Sequence, residues 1–248
     1  MYSARLLEKT LLSEDSQCYH LEFDIPELEK FDFEPGQFIS MVGEDSRGKP
    51  QTRAYSIASA PRENRFDLCL DRVDGGFFSN RLADAKPGDV VLFHGPYGLF
   101  VLRRPLVDSM LIATGTGIAP FRAFVETLFP NEREDRSDGK HFWLVYGSRH
   151  ASEIYYRHFF EKTAAEHANF HFLPTVTRPH EDWEGLRGNV EIHVRKLLLE
   201  GGGMGALSGD AIPVSAYICG LNEMVAANRA QLKELGWDRK RIIFERYD

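Results

Sequence analysis

Between the apolar run Met110 to Ala113 and a helical stretch beginning at Phe121, the chain reads Ala113-Thr114-Gly115-Thr116-Gly117-Ile118-Ala119-Pro120. Small residues at such a junction let backbone N–H groups close on an anion, and the helix that follows adds the positive end of its dipole. A dinucleotide pyrophosphate is the natural occupant. The run is not the six-residue Gly-x-Gly-x-x-Gly fingerprint, and by itself it also reads as a tight strand-to-helix turn. Its place after the first strand of an α/β half favours a ligand, because open α/β sheets bind beyond the carboxyl ends of their strands. A second run, Arg53-Ala54-Tyr55-Ser56, combines a forked phosphate ligand, an aromatic stacking surface and a short hydroxyl. On a strand, Arg53 and Tyr55 share one face and Ser56 takes the other. An ordinary amphipathic strand would look the same. Cys219, closing the apolar run Ala216 to Cys219, reads by itself as a small core residue.

The elements that must position these residues change character along the chain. In the first hundred residues Tyr19, Leu21, Phe23 and Ile25 alternate with polar neighbours as in a half-buried strand, and Pro26 ends it. Further strands are expected at Gln37 to Val42, Arg53 to Ala58, Phe66 to Val73 and Val90 to His94, separated by Pro35-Gly36, Gly75-Gly76 and Pro87-Gly88. Several short strands so spaced predict an antiparallel β-barrel or sandwich. After Pro105 apolar runs alternate with helical stretches: Met110 to Ala113, Phe142 to Tyr146, Phe170 to Val176, Ala216 to Cys219 and Ile242 to Phe244, with helices at Phe121 to Leu128, Glu153 to Glu166, Val190 to Leu199 and Glu223 to Leu235. That alternation predicts a parallel-sheet α/β domain. The expected domains are therefore residues 1–104 and 105–248, with exposed loops at Pro130 to Lys140 and Gly201 to Gly209.

Composition narrows the function. The 248 residues are 43% hydrophobic and 27% charged, enough apolar side chain for two cores. A net charge of -7 argues against non-specific binding to nucleic acid or an anionic membrane. Three cysteines, Cys18, Cys69 and Cys219, lack any Cys-x-x-Cys spacing, which predicts a reducing compartment without structural metal or an iron–sulfur cluster. No run approaches the ~20 apolar residues of a membrane span. A cytoplasmic protein is expected. His167 and His171 have a helical ligand spacing but straddle a predicted helix end and strand start, so they do not share a face. A hydrolase nucleophile elbow is missing as well.

Taken together, the runs resemble the ferredoxin-NADP reductase family of flavoproteins, from Pro35-Gly36-Gln37-Phe38 onward. Arg53-Ala54-Tyr55-Ser56 is similar to the family's Arg-x-Tyr-Ser flavin motif. Leu68-Cys69-Leu70-Asp71-Arg72-Val73, followed by Gly76-Phe77-Phe78-Ser79-Asn80, is similar to its second flavin segment, and Pro87-Gly88-Asp89 to Gly95-Pro96 continues the likeness. Gly115 to Pro120 resembles its nicotinamide-dinucleotide loop, Cys219-Gly220 with Met224 its Cys-Gly segment, and Glu245-Arg246-Tyr247 its Glu-x-Tyr ending, after which this chain adds Asp248.

The resemblance implies an FAD-dependent oxidoreductase exchanging electrons between NADPH and a one-electron carrier, ferredoxin or flavodoxin, met transiently by a monomer. An NADH-dependent reductase component of an oxygenase, or a free-flavin reductase, is the same-fold alternative. It implies that Ala54 and Tyr55 line the flavin, with Tyr55 stacked on its ring, that Ser56 bonds near the reactive N5 edge, and that Leu70 lies in the second flavin segment. Arg53 with Gly76, Phe77, Phe78 and Ser79 would hold the FAD pyrophosphate. Gly115, Thr116 and Gly117 would hold the pyridine nucleotide. Ser56, Cys219 and Glu245 form the implied hydride-transfer set, with Tyr247 covering the flavin face that nicotinamide must reach. For the 2'-phosphate, Ser148 and Arg149 follow the second α/β strand and Arg178 follows the third, which favours NADP(H). The family's further arginine, in a Gly-Arg pair, is replaced by Gly188-Asn189 with Arg187 offset, which keeps NADH open. Arg239, Lys240 and Arg241, with Arg62, Arg103 and Arg104, are either a solvated face or a steering surface for an acidic carrier.

Overall fold

The computed structural model describes residues 1–200 and 214–247. The predicted loop Gly201 to Gly209 and the added Asp248 lie outside the described residues. The chain divides into two compact units. The first comprises Met1–Leu102 together with Ala119–Thr127, and the second Arg103–Ile118 with Leu128–Asp248.

The first unit is antiparallel. Strands β1 (Tyr2–Ser13), β2 (Cys18–Asp24), β3 (Phe38–Glu44), β4 (Pro50–Ser56), β5 (Arg65–Asp71) and β6 (Val90–Tyr97) take the order β4-β3-β6-β1-β2-β5. An antiparallel bridge between Ile57 and Leu68 joins the two outer strands, so the sheet closes into a barrel and hides its edges. Inward residues of alternate positions, among them Leu21, Phe23, Ile39, Met41, Phe66, Leu68 and Phe93, make the core. Its centre is aromatic: Phe23 and Phe66 stack at 5.3 Å and Phe93 meets Phe66 edge-on at 5.2 Å. Such pairs each add about 0.5–1.5 kcal/mol beyond their burial. A short helix, α1 (Phe77–Asp84), follows β5, and Phe78 and Leu82 join the core. Helix α2 (Ala119–Leu128) lays Phe121 and Phe124 against Phe100, with ring centroids 5.8 and 5.9 Å apart.

The second unit is a parallel sheet of β7 (Asp108–Thr114), β8 (Phe142–Ser148), β9 (Phe170–Val176), β10 (Leu186–Arg187), β11 (Val214–Leu221) and β12 (Ile242–Tyr247), in the order β10-β9-β8-β7-β11-β12. Helices α4 (Val190–Glu200) and α5 (Asn222–Glu234) cover one face, burying Met110, Ile112, Val145, Ala216 and Ile218 with Val194 and Val225. Helix α3 (Arg157–Glu166) sets Phe160 against Phe172 of β9 at 5.2 Å. The strand order reverses between β7 and β11. In open α/β sheets a reversal of this kind opens a crevice at the carboxyl ends of the two strands.

The architecture is the predicted one: an antiparallel barrel followed by a parallel α/β sheet. Three elements were not read from sequence: β1, α1 and the two-residue β10. No helix among the described residues is long and apolar enough to cross a membrane.

Candidate functional site

The register of β4 on β3 pairs Arg53 with Met41 and Tyr55 with Ile39. Arg53 and Tyr55 therefore share the face that Met41 and Ile39 turn to the core, and Ser56, opposite Phe38, takes the other. Arg53 is nonetheless exposed and Tyr55 only partly covered, so this stretch of inner face is not filled by protein. Ser56 is buried, and burial pushes the Tyr55 phenol up to about 12, which keeps it neutral.

Helix α1 starts beside this strand pair. A side chain at Gly43, which faces Gln51 across the hairpin, would touch the rings of Phe77 and Phe78. The helix opens on Gly76 with no side-chain cap and no acidic residue in its first turn, so its N-terminal amides and dipole are left for an anion. A Cβ at Gly76 would displace Ser79 Oγ, 2.3 Å away, the oxygen that accepts the Val73 amide at 3.2 Å. Leu70 is buried in the core below, on β5. An exposed arginine, a half-open tyrosine face and an uncapped helix start suit a flavin carrying a pyrophosphate. FAD fits these residues.

In the second unit Gly115–Ile118 form a single 3-10 turn at the carboxyl end of β7, leading into α2. The turn is pinned from outside by Tyr146, whose hydroxyl donates to the Gly115 carbonyl at 3.1 Å. On its other side it presses on β11, because a Cβ on Gly117 would sit 2.3 Å from the Cys219 carbonyl oxygen and 2.8 Å from Gly220 Cα. Among the described residues nothing would lie within 4 Å of a side chain at Gly115. The first turn of α2 carries no acidic residue. Thr116 lies between the two glycines, partly exposed. These features suit a dinucleotide pyrophosphate at the reversal point of the sheet.

Cys219 is fully buried and pairs in parallel register with Ala113 of β7 and Glu245 of β12. Tyr247 lies two residues beyond Glu245 on the same face of β12, in register with Leu221 of β11. Burial first, and then the Glu245 charge, push the Cys219 thiol well above its ordinary value, with the Tyr247 hydroxyl opposing them. It is a neutral thiol at every physiological pH.

The strands β8, β9 and β10 end in step. Ser148 pairs with Val176, and Val176 with Arg187. The Arg178 amide donates to the Arg149 carbonyl at 2.8 Å, and Thr177 to that of Ser148 at 3.0 Å. Glu153 accepts the amides of Arg149 and His150 at 3.2 and 3.0 Å, bracing the turn. Exposed Arg149, Arg178 and Arg187 thus leave three neighbouring strands at the same end. Sequence alone showed Arg187 as offset; the register of the short β10 supplies its neighbours.

Other predicted residues separate. Arg62 is engaged with Asp67 at 2.5 Å, Arg104 reaches Asp138 at 3.3 Å, and Arg103 donates to the Lys240 carbonyl. Cys18 and Cys69, remote in sequence, bring their sulfurs to 3.7 Å as buried free thiols. His167 caps the end of α3 while His171 lies on β9.

Comparison with known proteins agrees with this division of labour. Residues 3–102 match the oxidoreductase FAD-binding domain family, and residues 111–230 the oxidoreductase NAD-binding domain family. The chain is 37% identical to ferredoxin-NADP reductase B of Sorangium cellulosum over 232 residues, covering 92% of this chain and 91% of that one. It is 34% identical to the ferredoxin-NADP reductase of a Synechocystis strain over 195 residues, covering 71% of this chain and 47% of that longer protein. Among solved structures, the Amycolatopsis cytochrome P450 reductase GcoB superposes with a TM-score of 0.82 at 25% identity, over 99% of this chain and 69% of that one. With a flavin-suited barrel, a dinucleotide-suited turn and a relative 37% identical over 92% of this chain, the chain belongs to the ferredoxin-NADP reductase family of FAD-dependent, NAD(P)H-linked oxidoreductases.

Proposed function

We propose that this protein is a cytoplasmic, monomeric reductase that takes hydride from NADPH and delivers electrons to ferredoxin or flavodoxin. FAD, when bound, accepts two electrons together from a nicotinamide and releases them singly. Arg53 and the start of α1 hold its pyrophosphate, Tyr55 stacks on its ring, and the Ser56 hydroxyl bonds at the reactive edge. The turn Gly115–Ile118 holds the pyrophosphate of the nucleotide. Cys219 offers a neutral, buried thiol to the nicotinamide, with Glu245 beside it. Tyr247 closes β12 two residues beyond Glu245 and must move aside when the nicotinamide arrives. Such groups act by positioning and by excluding water.

The observation that supports NADPH over NADH is the alignment of Arg149, Arg178 and Arg187 at three adjacent strand exits. Forked guanidinium groups suit a 2'-phosphate, whereas an NAD site usually sets an acidic side chain near the ribose. Asn189, standing where the family carries an arginine, favours the second reading, an NADH-linked reductase component of an oxygenase. Anaerobic reduction of the bound flavin by each nucleotide decides between them.

A further inference from the structure

The exit of β4 is held by a buried ionic cluster that the site described above does not use. Asp67 on β5 is 1% exposed. Arg62, in the loop after β4, reaches it at 2.5 Å, and Arg122 of α2 at 3.2 Å. From β2, His20 lies 3.5 Å from the Asp67 carboxylate and 3.7 Å from Glu22. Glu126, one turn after Arg122 on α2, sits 3.6 Å from it and accepts the Ala60 amide at 2.8 Å. The backbone is tied in as well. Ala58 donates its amide to the Asp67 carbonyl at 2.8 Å, Asp67 donates its own to Ser59 Oγ at 3.1 Å, and Arg122 donates to the Ala58 carbonyl. Three successive residues, Ala58 to Ala60, are thus gripped from β5 and α2, beginning two positions after Ser56.

We propose that Arg122 is a positioning residue for flavin reduction: anchored on Asp67, it holds the Ala58 carbonyl and so fixes the strand end that presents Ser56. The inference rests on the assignment of Ser56 to the reactive edge. A misplacement of about 1 Å at a reacting group costs about a hundredfold in rate. A clasp two residues from Ser56 can therefore act on rate without touching cofactor or nucleotide.

The anchor also titrates. Burial raises the Asp67 carboxyl to about 6, against the opposing pull of Arg62 and Arg122 and with Glu22 and Glu126 adding to the rise. Below that pH Arg122 loses the nearer of its two carboxylate partners, Glu126 at 3.6 Å being the other, while the fold loses an ionised carboxylate that burial penalises. Rate and stability then respond differently to acid, which a merely structural clasp would not produce.

The test uses the FAD-loaded protein, mixed anaerobically with NADPH in a stopped-flow instrument. Arg122→Gln is expected to lower the limiting rate of flavin reduction about tenfold to a hundredfold, with flavin content and nucleotide Kd within about threefold of the parent, and Arg122→Lys to recover most of the rate. The parent rate should fall as pH drops through about 6 without a parallel fall in Tm, and Asp67→Asn should be slow and flat across that range. A parental rate in Arg122→Gln, a loss explained by missing flavin or weakened nucleotide binding, or failure of the lysine to rescue would overturn the proposal. Should Arg122→Gln not fold, a parent profile that is flat through pH 6 overturns it equally. Ser56→Ala separates the two ideas: a slow Ser56→Ala with a fast Arg122→Gln sinks only the clasp, whereas a fast Ser56→Ala sinks the assignment of Ser56.

Discussion

Gly117 lies so close to Cys219 that a single added carbon would stand 2.3 Å from the cysteine's carbonyl oxygen. The contact joins the turn after β7 to the end of β11, the two strands between which the sheet order reverses. One glycine therefore sets how closely the turn after β7 packs on the main chain at the end of β11. The obstructing atoms are main chain, which cannot swing aside.

Gly117→Ala should accordingly displace the turn rather than fill a space. Overpacking of this kind costs about 1–3 kcal/mol, and the turn that moves is the one assigned to the pyrophosphate. The variant is expected to lose Tm, to keep its flavin, and to bind pyridine nucleotide about tenfold or more weakly. Calorimetric titration with a non-reducing NADP+ checks this; unchanged affinity would remove the turn from the site.

Cys219 should be slow to react. Its thiol is buried and pushed up by burial and by Glu245, so iodoacetamide should label it at neutral pH far more slowly than a free thiol. Saturating NADP+ should not accelerate labelling. Cys219→Ala should lower the rate of flavin reduction much more than it lowers flavin content, and equal losses of both would leave the thiol a purely structural residue.

The three arginines at the strand exits should discriminate between nucleotides. Replacing Arg149, Arg178 or Arg187 with alanine is expected to raise KM for NADPH about tenfold to a hundredfold, the worth of a charge-assisted phosphate contact, while leaving KM for NADH nearly unchanged. Arg187 is the sharpest case, since its place rests on the two-residue strand β10. Equal effects on both nucleotides would mean that these side chains do not meet the 2'-phosphate.

His20 and Asp67 should oppose one another in acid. Burial, with Arg122 and Arg62, lowers His20 from 6.5 to about 3, so the unfolded chain gains a proton first and stability falls as pH drops below 6.5. Asp67 is raised from 3.8 to about 6, so the folded chain gains a proton first and stability rises as pH drops from 6 toward 3.8. Each group alone would shift the folding equilibrium about tenfold per pH unit, with opposite sign. Asp67→Asn should therefore melt at lower temperature as pH falls from 6 to 4, and His20→Gln should not. Identical pH dependence in the two variants would contradict the assignment.

Elements whose signals are local in sequence stand out in it, and those set by distant contacts do not. Strands β2 and β5 announce themselves by alternation, and the helices after Pro105 by length and spacing. Strand β1 does not, because register shifts between Leu6 and Glu8 and between Leu11 and Ser13 break its period of two. Helix α1 is only eight residues long and sits inside a turn-rich segment. The residues of the candidate site were named from short runs, but their pairings were not. Arg187 acquires neighbours only through β10, and Asp67 meets Arg122 across 55 positions of sequence. Contacts of that separation are set by register and topology, which local pattern does not encode. Neither does it encode the 3.7 Å approach of Cys18 to Cys69.

The most direct test of the account is anaerobic reduction of the purified protein's flavin, followed by absorbance, with NADPH and NADH in parallel. NADPH should bleach the bound FAD about tenfold or more efficiently than NADH, the margin expected of a 2'-phosphate held by charge-assisted bonds. Failure to bind FAD, or bleaching by NADH that equals or exceeds that by NADPH, would contradict it.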